Sequence, residues 1–235
     1  MIKNLFNVLK KDPYALTGVL IYLFFIIIAI FADLIAPNDP LRILFNSSGL
    51  ARNIDPGREF LLGTTSNGRD IFSQLVHGSR NALYVGLTAA LAVAILGTIV
   101  GLISGYFGGW VDNLIMRLAD IALGIPFLPF VIVLAAFLGP SSWNVVIAIS
   151  ILLWPNSGRV IRSQVLSLRE RAYIESAKVS GCSNLRIIFV HIGPNILPLS
   201  FLYGSIAIGW AILTEASISF LGFGPSDVIS WGYML

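Results

Sequence analysis

Charge is what this sequence has least of. Only 11% of its 235 residues are Asp, Glu, Lys or Arg, while 56% are hydrophobic and the mean hydropathy is +0.85. Soluble domains carry roughly 25% charged residues. A chain of this length could bury a core in water, but it has too few charges to cover that core, so lipid suits it better as a solvent. There is one cysteine, Cys182, which excludes an internal disulfide. The two histidines, His77 and His191, are far apart in sequence and read as structural, so no metal site is expected. Beyond the N-terminal tail the only lysine is Lys178, and no Gly-x4-Gly-Lys-Ser/Thr loop surrounds it. The chain therefore has no means of its own to cradle a nucleotide phosphate. Neither a catalytic triad nor a paired acid and base is present, which argues against an enzyme active site. The net charge of +3 comes from basic residues confined to particular loops, and this pattern does not suit nucleic acid. Low-complexity tracts and internal repeats are also missing. The lack of an inverted repeat weighs against a secondary transporter.

What the sequence does have is long uncharged runs. A helix crosses the hydrocarbon core with about 20 apolar residues at about 1.5 Å each. Leu16 to Ala32, continuing towards Ala36, is the first such run, and Ala82 to Tyr106 is the second. No charge interrupts Ile121 to Gly158, which is too long for one span. The segment Gly139-Pro140-Ser141-Ser142-Trp143-Asn144 divides it into a third span, near Leu114 to Leu138, and a fourth, near Val145 to Val160. Ile196 to Leu221, broken only by Glu215, is the fifth. The expected fold is an all-α integral membrane protein. The first run has a basic flank and no small-residue cleavage pattern, so it reads as a retained span. Asp70 to Leu75 can start a short interfacial helix before span two.

Five spans place the chain ends on opposite sides. With the N-terminus inside, the cytoplasmic segments hold Lys3, Lys10, Lys11, Arg117, Arg159, Arg162, Arg169, Arg171, Lys178 and Arg186. The outside holds Arg42, Arg52, Arg58, Arg69 and Arg80, all in one long segment of mixed charge. The positive-inside rule favours that orientation. One transmembrane domain over residues 1–235 follows, with a cytoplasmic tail at 1–15, an external segment at 37–80 and a cytoplasmic loop at 159–195.

That loop is the most informative stretch. Val160, Ile161, Val165, Leu168 and Ala172 recur at helical spacing among charges. Gly181 can stop a helix in a left-handed conformation. Ser183 can then cap a second helix, Asn184 to Ile192, with Pro194 after its end. The loop reads as helix, glycine break, helix. Two readings stay open, a solvated hairpin or a docking knob for a soluble partner.

Within the spans, Gly97, Gly101 and Gly105 repeat every four residues on one helix face. Such spacing lets backbones approach closely. The face is either a packing seam inside this chain or a seam against a partner. Asp120 and Glu215 lie in or near spans, where an unpaired charge is costly, so each should face protein or water. Each is either a structural hydrogen-bonding group or part of a translocation path. Pro126 and Pro129 are expected to kink or interrupt the third span.

Several motifs then carry a resemblance. Glu175-Ser176-Ala177, Gly181 and Pro194 resemble the Glu-Ala-Ala…Gly…Pro loop of prokaryotic ABC importer permeases, with Ser176 and Gly193 as departures. Leu62-Gly63-Thr64-Thr65-Ser66-Asn67-Gly68-Arg69-Asp70 is similar to the signature of C-type subunits in the dipeptide, oligopeptide and nickel permease group, with Thr65 where Asp is usual. Gly108 to Asp112, Gln164 to Glu170 and Glu215 to Gly222 fit the same group. The resemblance implies a type I ABC importer transmembrane domain in the cytoplasmic (inner) membrane of a prokaryote. It implies that Ala172, Tyr173, Glu175, Ser176, Ala177, Lys178 and Gly181 form the element that meets an ATPase. The implied partners are a homologous permease subunit, two ATPase subunits and an extracytoplasmic solute-binding protein, beside membrane lipid. ATP and Mg would sit on the ATPase subunits, with no cofactor in this chain. Peptides are the expected solute, with nickel or oligosaccharides as alternatives. A self-contained channel or secondary transporter is the reading from another class. Such permeases continue into a sixth span after Ser230-Trp231-Gly232, so the resemblance also implies an incomplete C-terminus.

Overall fold

The computed structural model describes residues 12–46, 49–225 and 227–235. The basic tail with Lys3, Lys10 and Lys11 lies outside the described residues. The described residues fall into two compact units, one within 12–83 and 227–235, the other Tyr84–Pro225. Helix α3 (Ile71–Phe107) supplies residues to both. By length and composition, four helices can cross a membrane, or five if one bent pair is a single span.

In the first unit, α1 spans Pro13–Ile30. Asp12 caps it by accepting the Tyr14 and Ala15 N–H groups at 2.9 and 3.3 Å, and Pro13 fits a first turn that needs no N–H donor. Only Ala29 of α1 is buried, as suits a helix sheathed in lipid. A short helix, α2 (Ala32–Ile35), follows. Two brief strands, β1 (Phe45–Asn46) and β2 (Gly49–Leu50), pair antiparallel with Phe45 opposite Leu50. The Leu62–Asp70 motif is a knot of local bonds. Thr64 Oγ1 donates to Ala51 C=O at 2.6 Å and accepts Ile54 N–H at 2.9 Å. Asp70 accepts Phe72 N–H, Ser73 N–H and the Ser73 hydroxyl, which caps α3. Residues near the end of the chain form α10 (Trp231–Met234). There Trp231 Nε1 donates to Leu75 C=O at 3.0 Å, and the Arg69 guanidinium lies 5.8 Å from the Tyr233 ring centroid.

No separate helix covers Asp70 to Leu75, contrary to the sequence expectation. Asp70 caps a continuous helix of 37 residues, about 55 Å long at 1.5 Å per residue. That exceeds the roughly 30 Å hydrocarbon thickness. Charges such as Arg80 sit in its early turns, so hydropathy alone placed its start too late.

In the second unit, Gly108 and Gly109 take φ of +65° and +57° and turn the chain from α3 into α4 (Gly109–Gly124). Helix α5 (Phe127–Leu138) follows, then α6 (Ser142–Arg169), α7 (Ala172–Val179) and α8 (Asn184–Arg186). A π-helical stretch, Ile187–Ile192, leads into α9 (Gly193–Phe220). One core joins Val85 and Ala89 of α3, Val131 and Ala135 of α5, and Val145, Ile149 and Leu152 of α6 to Ala211 and Ile218 of α9.

One expectation holds and two are corrected here. The third span, Leu114 to Leu138, is interrupted at Pro126 as expected, into two helices meeting at 93°. Pro126 forces Ile125 out of helical geometry and into an extended one, with ψ of 132°. The helix that carries the fourth span does not end near Val160, because α6 runs on to Arg169 and the loop breaks a second time at Glu170 and Arg171. Helix Asn184 to Ile192 does not stop at Pro194. Instead α8, the π-helical stretch and α9 form one run, Asn184–Phe220. Pro194 has no N–H and its ring would crowd a carbonyl four residues back, and the π-helical turns before it relieve that conflict.

Candidate coupling loop, packing seams and intramembrane cavity

The loop after α6 is built around one buried side chain. Ile174, fully buried on α7, packs in a cluster with Leu168, Ile187, Ile188 and Ile192. The other side of α7 is uncovered. Ala172, Tyr173, Glu175, Ser176, Lys178 and Gly181 are exposed, Ala177 is half-buried, and Val179 is 90% exposed. The seven residues carried over by resemblance therefore lie around one short helix and its stop. Ile174 was not among them, although it is the side chain that fixes the helix.

The stop is a Schellman motif. Gly181 sits at φ +76°, Cys182 N–H donates to Ala177 C=O at 3.0 Å, and Gly181 N–H donates to Lys178 C=O at 3.0 Å. Ser183 then caps α8 by accepting Arg186 N–H at 3.4 Å. Several contacts reach back to the end of α3. The Tyr106 hydroxyl donates to Asn184 Oδ1 at 2.8 Å, and Lys178 Nζ lies 5.9 Å from the Tyr106 ring centroid. Arg169 Nη1 donates to Gly105 and Tyr106 C=O at 3.2 and 3.4 Å, on the last carbonyls of α3.

Helix α3 carries two small-residue seams. Gly97, Gly101 and Gly105 lie against Ser157, Ile161 and Val165 of α6. A β-carbon on Gly105 would come within 2.7 Å of Val165 Cβ. The second seam faces α9. A β-carbon on Gly86 would meet Ile212 Cγ1 at 2.9 Å, one on Gly204 would meet Ala94 Cβ at 3.4 Å, and Thr98 Oγ1 donates to Ser200 Oγ at 2.7 Å. The sequence reading missed the second seam because Gly86, Ala90, Ala94 and Thr98 contain a single glycine.

Two ion pairs join α4 to α6. Arg162 grips Asp112 with both Nε and Nη2, and Asp112 is 7% exposed. The more exposed Arg159 pairs with Asp120. Asp120 is thus paired at the surface of this unit. Glu215, 2% exposed, accepts the Ser219 hydroxyl at 2.8 Å, one turn along α9. The Asp112–Arg162 pair left no signal in the sequence, since 50 residues separate its members.

In the first unit, Asp33 collects a further polar group. Arg80 Nη1 and Nη2 reach its two oxygens at 3.0 and 2.9 Å, and His77 Nε2 lies 3.1 Å from Oδ1. Arg80 also donates to Ala29 and Ile30 C=O at 2.6 and 3.2 Å, which covers the carbonyl end of α1. The Arg80 hydrogen bonds, followed by that of His77, hold the Asp33 carboxyl below its ordinary value.

A cavity of about 420 Å³ opens beside the α4–α5 break. Val93, Ala122, Ile125, Phe127, Leu153 and Tyr203 are among the residues that line it, and neither Asp120 nor Glu215 does. Among the described residues no group of three or more His, Cys, Asp or Glu side chains is arranged to hold a metal ion.

Residues 97–235 match the family described as binding-protein-dependent transport system inner membrane component. The chain belongs to that family. Residues 2–56 match the N-terminal transmembrane domain of oligopeptide transport permease C. The dipeptide transport system permease protein DppC of Alkalihalophilus pseudofirmus is 42% identical over 234 residues, which is 99% of this chain and 76% of the relative. The oligopeptide transport system permease protein OppC of Bacillus subtilis is 34% identical over 228 residues, 96% of this chain and 73% of the relative. The glutathione transport system permease protein GsiD of Escherichia coli O6:K15:H31 is 37% identical over 227 residues, 96% of this chain and 74% of the relative. This chain is a multi-span permease of the ABC importer class, with a mostly helical transmembrane fold of type I.

Proposed function

We propose that this chain is the C-type permease subunit of a peptide importer in a prokaryotic cytoplasmic membrane. In this reading residues 1–235 work as one permease domain, paired with a homologous permease. Two ATPase subunits bind the cytoplasmic loop 159–195, and an external binding protein delivers the peptide. ATP and Mg belong to the ATPases, and this chain contributes conformational change rather than bond chemistry. The observation that carries the coupling role is α7, fixed on one side by Ile174 and uncovered on the other. A short helix held rigidly to α6 and α8 can transmit a push from a soluble partner into two long helices. The peptide assignment is supported by the dipeptide, oligopeptide and glutathione permeases to which the chain is similar.

The test is reconstitution. The chain is purified from its own host with whatever subunits accompany it and placed in proteoliposomes. ATP-dependent uptake of labelled dialanine is expected, with none for nickel or an oligosaccharide. Uptake driven by an ion gradient without ATP would make the chain a secondary transporter and end this reading. Orientation is checked by single cysteines at Ser167 and Glu59 in a Cys182→Ser background, which should react with an impermeant thiol reagent from opposite sides.

A further inference from the structure

The cavity at the α4–α5 break holds polar groups that neither packing nor ion pairing uses. Asn156 is exposed on its wall and Tyr203 is half-buried there. Among the described residues, no hydrogen bond engages the Asn156 amide or the Tyr203 hydroxyl. Phe127, Leu153, Ile206 and Trp210 add apolar surface, and no lining residue is Asp, Glu, Lys, Arg or His. An Asn amide offers two donors and two lone pairs, and another amide matches that set. The aromatic and aliphatic wall favours an apolar group, whereas a charged side chain would find no ion-pair partner in the lining. The volume lies within the ~300–1,000 Å³ usual for small-molecule sites. A lipid acyl chain fits the apolar wall but gives Asn156 and Tyr203 nothing to bond.

We propose that this cavity binds the apolar side chain of a short peptide together with the amide beside it. Asn156 pairs with the peptide amide, while Phe127, Tyr203 and Trp210 enclose the side chain. The assignment rests on the peptide-import reading above and adds a preference to it, for neutral, bulky residues over charged ones. The bend itself makes the site. A straight helix through Ile125 would carry α5 past this space, whereas the 93° turn leaves it open beside α6 and α9.

The experiment compares ATP-driven uptake of labelled dileucine and diglycine by the complete complex in proteoliposomes. Ile206→Trp fills the cavity from an exposed position, so the fold should tolerate it. The dileucine-to-diglycine uptake ratio is expected to fall about tenfold, the scale set by one or two methylene groups in an apolar pocket. Asn156→Leu should lower uptake of both peptides, and Asn156→Gln should restore part of it. Photo-leucine at Leu153 should crosslink to labelled dileucine in an otherwise unaltered complex. A crosslink only to lipid or to a partner helix, or an unchanged ratio in Ile206→Trp, overturns the site. If the unaltered complex accumulates neither dipeptide, the peptide reading falls and takes this inference with it. If it accumulates both and the ratio does not move, the inference falls alone.

Discussion

A β-carbon placed on Gly101 would stand 2.6 Å from Ile161 Cγ2 and 2.9 Å from the Gly158 carbonyl oxygen. Backbone on the far side of that contact cannot yield as a flexible side chain would. Gly101→Ala is therefore expected to destabilise by about 1–3 kcal/mol, as overpacking does, and Gly101→Leu by more. Gly209→Ala is the control. Nothing lies within 4 Å of its added carbon, and its φ is ordinary. Helix propensity alone then makes it neutral or slightly stabilising. Thermal unfolding in detergent separates the two, and equal midpoints for Gly101→Ala and Gly209→Ala would show that the seam is loose.

The Asp112–Arg162 pair is the second expectation. Asp112 also lies in the first turn of α4, where a negative charge suits the helix dipole. Removing one partner leaves the other partly buried and unpaired. Asp112→Ala or Arg162→Ala should each cost about 3 kcal/mol, the low end for buried pairs, because Arg162 keeps some exposure. The double variant should cost less than the sum of the two, with a coupling of about 1–3 kcal/mol. The exposed Asp120–Arg159 pair should show well under 1 kcal/mol in the same cycle. A strictly additive Asp112–Arg162 cycle would mean that the fork contributes nothing.

The sequence made legible what depends on local periodicity or on motifs. The apolar runs marked the long helices, Gly97, Gly101 and Gly105 marked one seam, and Gly181 with Ser183 marked a stop and a restart. Features that depend on distant partners were not legible. Nothing in the spacing of Asp112 and Arg162 joins them, and nothing local selects Ile174 over Tyr173 as the anchor of α7. The two prolines behave differently. Pro126 was expected to kink or interrupt a span and does so, turning it through 93°, while Pro194 was expected to follow a helix end and sits inside a continuous run. The difference lies in the residue before each. Ile125 leaves helical geometry, whereas Gly193, without a Cβ to meet the ring, stays in it. The cavity was invisible for the same reason, since the bend that opens it was not foreseen as sharp.

The Asp33 cluster gives a pH dependence. Arg80 first, and His77 second, depress the Asp33 carboxyl in the folded protein. A depressed acid contributes stability above its unfolded value, and that contribution disappears as pH falls through the folded value. Unfolding midpoints should therefore drop more steeply for the unaltered protein than for Asp33→Asn as pH is lowered from neutral into the acid range. Arg80→Gln should flatten the dependence more than His77→Gln does. If Asp33→Asn tracks the unaltered protein at every pH, the cluster does not couple to folding.

Gly181 carries the last expectation. Its φ of +76° is the conformation the Schellman stop requires, yet nothing lies within 4 Å of an added β-carbon. Sterics with neighbours thus impose no penalty, and backbone strain alone decides the outcome. A left-handed conformation costs roughly 1–2 kcal/mol for most residues, more for a β-branched one, and least for Asn. That is too little to unfold the unit, but enough to favour other arrangements of Ser180 to Ser183. The two bonds from Cys182 and Gly181 to Ala177 and Lys178 would then be lost, and the uncovered side of α7 would turn on its Ile174 anchor. Gly181→Val should leave the chain inserted and expressed while weakening copurification of the ATPase subunits and cutting uptake strongly. Gly181→Ala should do so less, and Gly181→Asn least. Glu175→Arg, which inverts a charge on the same exposed side, should weaken copurification without touching the stop. The order Val, Ala, Asn separates strain from bulk, because Asn is larger than Ala. A loss that instead followed side-chain size would place the cause in a covered groove around Gly181. Unaltered uptake by Gly181→Val with the ATPases retained would reduce α7 to a solvated hairpin.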